Sequence, residues 1–154
     1  MKKDNNIREK QLTFDVGTNF DPELIRVINK NNKCNEFKSV FGKLKTDLLG
    51  GGRASAFLPD VSIKELEKYI ELCHLNKLTF NYLINPMCME NKELEIASHF
   101  KIVDFIKQLE SIGVDAITVN SPYLCELIKK QFPKMKVTIG LYSYVFDLNL
   151  IKRW

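Results

Sequence analysis

No stretch of this 154-residue sequence is long and apolar enough to cross a bilayer, and no hydrophobic run follows Met1-Lys2-Lys3-Asp4 as a signal peptide requires. The sequence therefore reads as a cytoplasmic protein with no membrane partner. Cysteine is sparse: Cys34, Cys73, Cys88 and Cys125 are widely spaced, and none forms a Cys-x-x-Cys pair. Two disulfides or a four-cysteine metal site are the alternatives, but free thiols in a reducing compartment fit the spacing better. No charge of one sign dominates. The 23 Lys and Arg are interleaved with 19 Asp and Glu, and the net charge of +4 argues for a solvated surface rather than a nucleic-acid patch. Histidine is limited to His74 and His99, and neither stands where it obviously pairs with Cys88.

What is present is a core-forming composition, 45% hydrophobic, arranged as alternating strands and helices. Five apolar segments, Leu12–Val16, Phe37–Phe41, Phe80–Ile84, Asp115–Val119 and Val137–Ile139, each end in a cluster of polar residues or glycine. A helical pattern follows each one. Asp21-Pro22-Glu23 starts the first helix, with Leu24, Ile25, Val27 and Ile28 as its apolar side. Ser62 and Glu65 make a capping box before Leu66, Tyr69, Ile70 and Cys73. Ile102, Phe105, Ile106, Leu109 and Ile112 form a stripe that Gly113 ends as a left-handed cap. This order predicts an α/β fold with parallel strands in chain order, a partial β/α barrel over residues 11–154, after a frayed tail over residues 1–10. In such a barrel Ile117 is expected to line the interior.

The carboxyl ends of parallel strands gather on one face, where ligands bind. Asn19, Asn85 and Asn120 all stand just past a strand end. Their amides can orient a polar substrate, although turn chemistry alone also favours asparagine there. Gly50-Gly51-Gly52-Arg53 interrupts a long loop. Its glycines let the backbone approach a ligand, and Arg53 can clamp a carboxylate or phosphate; a flexible loop with a surface arginine is the other reading. No Lys-Ser or Lys-Thr follows, so this is not a P-loop. The candidate binding residues are thus Asn19, Gly51, Gly52, Arg53, Asn85 and Asn120, with no catalytic residue or metal ligand assigned. Cys88 lies in the third strand-end loop without an evident base and reads as an incidental thiol. Glu93 and Glu95 are expected to open the third helix, where carboxylates suit the dipole, with Glu93 also able to lean over the pocket. Asp15, a charge inside the first strand, needs a partner, and Arg53 is a candidate.

Taken in order, Gly17-Thr18-Asn19-Phe20-Asp21-Pro22-Glu23-Leu24, Phe41-Gly42-Lys43-Leu44, Gly50-Gly51-Gly52-Arg53, Phe80-Asn81-Tyr82-Leu83-Ile84-Asn85, Asn91-Lys92-Glu93 and Gly113-Val114-Asp115-Ala116-Ile117-Thr118-Val119 resemble the amino-terminal half of the collagenase-like peptidases, family U32, of unknown catalytic type. The resemblance runs from about Gln11 to Trp154. It implies part of a β/α barrel, which when whole takes ~250 residues. It also implies a truncated peptidase or, as in other members, part of a system hydroxylating RNA or a quinone precursor. The family's peptidase signature and iron–sulfur cysteines belong to a later region, so no cofactor is expected in this chain. An anionic, peptide or RNA substrate is expected, together with the remaining half-barrel or a second copy as partner. The alternative is a non-catalytic half-barrel that pairs with a partner chain, or a gene remnant.

Overall fold

β-branched and aromatic residues form five short strands because their side chains pack well on a pleated surface. The computed structural model describes residues 12–33 and 35–154; the expected tail over residues 1–10 and Cys34 lie outside the described residues. The strands are β1 (Phe14–Gly17), β2 (Phe37–Gly42), β3 (Thr79–Ile84), β4 (Ala116–Val119) and β5 (Lys136–Ile139). All pair in parallel, and their spatial order is their chain order. Helices alternate with them: α1 (Pro22–Asn31), α2 (Ile63–Leu75), α3 (Ile96–Ser111), α4 (Pro122–Gln131) and α5 (Leu148–Arg153). The result is a partial β/α barrel, an open sheet with helices on one face. β1 begins at Phe14 rather than Leu12 because its neighbour begins at Phe37, leaving Leu12 exposed and unpaired.

The helix starts follow from their caps. Asp21 accepts from the backbone of Glu23 at 2.9 Å, with Pro22 opening α1. Ser62 and Glu65 form both bonds of the capping box on α2. Gly113 holds φ +90° after α3, a left-handed turn that glycine adopts without strain. On α1, Val27 faces solvent, half exposed, whereas Ile25 and Ile28 are buried; only one stripe of so short a helix reaches the sheet.

Strand alternation divides the sheet into two unlike faces. One row, Val40, Phe80, Tyr82, Ile84, Ile117 and Val119, is buried beneath the helices. Leu66, Tyr69, Ile70 and Cys73 of α2 and Ile102, Ile106 and Leu109 of α3 complete that core. Edge-on aromatic contacts lock it, Tyr69 on Phe80 and Tyr82 on Phe105. Ile117 thus lies under the helices and not in the barrel interior. It pairs in register with Tyr82, and the register decides the face. The opposite, inner row is largely polar: Asp15 accepts from Ser39 Oγ at 2.5 Å, and Thr118 donates to Asn81 Oδ1 at 3.1 Å. Asp15 therefore finds its partner on the adjacent strand and not in Arg53. Among the described residues no helix is long and apolar enough to cross a membrane.

Candidate functional site

The carboxyl ends of β1 to β5 form one rim, and the structure brings the sequence candidates together there. The Arg53 guanidinium donates to the backbone oxygen of Thr18 and, at 2.7 Å, to Asn19 Oδ1. The next residue back, Gly52, donates its backbone N–H to Asn85 Oδ1 at 2.7 Å. Asn120 Nδ2 donates to the Asn85 backbone oxygen at 2.7 Å, and Ser143 Oγ reaches Asn120 Oδ1 at 3.4 Å. A belt of hydrogen bonds therefore runs along the rim from the end of β1 to the turn after β5. These two bonds anchor the Arg53 guanidinium at the end of β1, and among the described residues its other N–H donors make no hydrogen bond.

The glycine loop packs against a buried polar group. Lys43 and Asp47 are buried 3.4 Å apart. Tyr82 donates its hydroxyl to Asp47 Oδ2 at 2.9 Å and accepts the backbone N–H of Leu44 at 3.1 Å. Burial, reinforced by the Asp47 charge, pushes the Tyr82 phenol far above its ordinary range. Gly51 rests on the Lys43 stem. A Cβ there would lie 2.8 Å from Lys43 Cδ, and one at Gly52 would lie 3.0 Å from both Asn85 Nδ2 and Tyr142 Cε2. A side chain at residue 51 would press on the Lys43 stem and on the backbone oxygen of Leu83, and one at residue 52 would push against Asn85 and Tyr142.

Beside the belt, between the ends of β3, β4 and β5, opens a cleft of about 420 Å³. Pro86, Met87, Cys88, Met89, Asn91, Glu93, Asn120, Ser121, Tyr142 and Tyr144 line it. Cys88 is exposed, and its sulfur accepts the Glu90 backbone N–H at 3.3 Å. Neither histidine serves it. His99 Nδ1 is 2.8 Å from the Tyr123 hydroxyl, and His74 Nε2 is 2.8 Å from Asp115 Oδ2 at the opposite end of the strands. Glu93 does not open α3: it lies in a separate 3₁₀ turn, Lys92–Leu94, and α3 begins after Glu95, whose carboxylate accepts from Ser98 Oγ and caps no backbone N–H. The extended Glu95 backbone, φ −101° and ψ 124°, sets that turn apart from the helix. Glu93 Oε2 is buried and, among the described residues, has no hydrogen-bond partner. Burial raises the Tyr123 phenol, and the Glu93 charge raises it further.

Of the ten cleft residues only Asn120 is among the candidate binding residues; Glu93, read from the sequence as able to lean over the pocket, does line it, and Tyr142 and Tyr144 join it there. Tyr142, three residues past the Ile139 that ends β5, carried the same strand-end signal as the asparagines. A metal or cluster finds no preformed donor set: among the described residues no three His, Cys, Asp or Glu side chains converge, and Cys73 and Cys125 are buried on different helices. The described cysteines therefore do not fit an iron–sulfur cluster.

Comparison with known proteins places these features in a family. The family model described as peptidase family U32 matches residues 49–151. The uncharacterized protease MJ1657 of Methanocaldococcus jannaschii is 27% identical over 130 residues, which cover 84% of this chain and 37% of that protein. The solved structure of the U32 peptidase Mk0906 superposes with a TM-score of 0.69 at 13% identity, over 93% of this chain and 54% of that one. The chain thus spans little more than a third of the curated relative and about half of the solved one. With well over half of its residues matched, the chain belongs to peptidase family U32.

Proposed function

We propose that this chain supplies part of the substrate-binding rim of a peptidase, holding an extended peptide across the carboxyl ends of β3, β4 and β5. The observation that carries this reading is the cleft beside the asparagine belt. Its Met87, Tyr142 and Tyr144 walls suit apolar side chains, and the neighbouring amides of Asn85 and Asn120 are held rigidly enough to orient a polar backbone. Hydrolysis needs an activated nucleophile or a metal-bound water. Among the described residues no serine or cysteine is hydrogen-bonded to a histidine, so the reading assigns this chain binding and no catalytic residue. On this reading the 154 residues alone bind peptide, do not cleave gelatin and hold no iron–sulfur cluster. The family resemblance also implies hydroxylation of RNA or a quinone precursor. The acidic Glu93 in the cleft weighs against a polyphosphate ligand there.

The test is binding of a fluorescein-labelled gelatin peptide followed by anisotropy. Tyr142→Ala removes an exposed cleft wall and should weaken binding by about tenfold. Equal affinity of the variant and the wild type would overturn the proposal.

One observation favours the second reading, a half-barrel that pairs with another chain. Beside β5 an apolar groove of about 410 Å³ is lined by Val137, Ile139, Leu141, Val145, Ile151 and Trp154. On the helix-facing side, Val137 and Ile139 are covered only in part. This edge suits a further βα unit, from a separate chain or a second copy.

A further inference from the structure

We propose that the rim cleft recognises a primary ammonium group, with Glu93 as its carboxylate and Tyr142 and Tyr144 as its aromatic walls. The inference deepens the peptide-binding reading and rests on it for the class of substrate. Three observations converge on it. First, Glu93 Oε2 is shielded from solvent and has no donor among the described residues. A buried carboxylate oxygen left unpaired carries a desolvation penalty that a charged donor relieves. Second, none of the described residues brings a charged donor to it. No lysine or arginine lines the cleft, and the adjacent Lys92 is engaged with Glu90 at 2.7 Å. Third, the cleft opens between two exposed tyrosines, whose ring faces attract a cation. Carboxylate and π faces together select positive charge, and the cleft volume admits an aminoalkyl group. In a peptide that group is either the amino terminus or a lysine side chain.

Calorimetric titration of the 154-residue chain separates these sources. The probes are Ala-Ala-Ala-amide, its N-acetyl form, and N-acetyl-Ala-Lys-Ala-amide. Preference for the first over the second by about tenfold, erased in Glu93→Gln, assigns the site to an amino terminus. The same preference for the third probe over the second assigns it to lysine. Glu93→Gln is isosteric, and Tyr144→Leu, at an exposed position, provides a second variant that should weaken the charged probes alone. Equal binding of all three probes, unchanged in Glu93→Gln, would overturn the ammonium site while leaving peptide binding intact. If no peptide binds but methylammonium raises the melting temperature of the wild type and not of Glu93→Gln, the cation site stands and the peptide reading falls. Stabilisation by calcium or zinc alone, with no response to any ammonium probe, would overturn the inference in favour of a metal. Silence towards every probe would overturn both readings.

Discussion

A β-carbon on residue 140 would overlap Asn120 Oδ1 and lie 3.2 Å from Thr118 Cγ2. Gly140→Ala must therefore displace Asn120 from the belt, breaking its bond to the Asn85 backbone. The expected cost is roughly 1–3 kcal/mol, the range of overpacking or a lost buried hydrogen bond, read as a lower midpoint in urea. An unchanged midpoint would show that the belt does not depend on close packing at that corner. The thiols make a second residue-scale prediction. Burial, with the Asp115 charge adding to it, pushes Cys73 up to about 12, while Cys88 stands exposed at the rim. Since the thiolate is the reactive form, iodoacetamide at mildly alkaline pH should label Cys88 and spare Cys73 and Cys125 until the protein unfolds. Peptide mass mapping checks this, and rapid labelling of Cys73 in the native state would contradict the buried geometry. Legibility differed at this scale. The asparagines and the glycine loop could be read from the sequence because their signal is local, a polar residue just past an apolar strand. Glu93 could be read as a residue near the pocket but not as an unpartnered one, because the lack of a partner shows only in the packing of neighbouring turns.

Among the elements, α2 offers the clearest pH-dependent one. Bonds from the Ser62 backbone and hydroxyl hold the Glu65 carboxyl below its ordinary value of 4.5. A carboxyl depressed in the folded state stabilises above its unfolded value and loses that contribution as pH falls through the lowered one. Glu65→Gln should therefore melt below wild type at neutral pH, and the gap should close in acid below 4.5. A gap that persists in acid would mean that the carboxylate charge is irrelevant to the cap. The caps of α1 and α2 and the glycine stop of α3 were legible because each is decided within a few residues. The face of each strand was not. Ile117 shows why: an apolar residue in a strand has two equally plausible sides, and only its pairing with Tyr82 places it beneath α3.

At the scale of the molecule, strand order and parallel sense followed from the alternation of strands and helices, whereas the polarity of the inner face did not. With β1 and β5 at the edges of the described sheet and the β5 groove apolar, the chain is expected to self-associate through those edges. Sedimentation at tens of micromolar should show dimers or larger species, and Ile139→Lys, in the groove, should reduce them. A single monomeric boundary would count against edge pairing. On the inner face Asp15 is satisfied by Ser39 and Asn81 by Thr118, beside the apolar Phe41 and Leu83 of the same row. Because spatial order equals chain order, each new strand finds its hydrogen-bonding neighbour just one helix behind it. Among the described strands, none pairs with a segment more than one βα unit away. The nascent chain can therefore lay down its sheet as it leaves the ribosome, each βα unit docking on the last before the next emerges, and the asparagine belt closes only when the turn after β5 arrives.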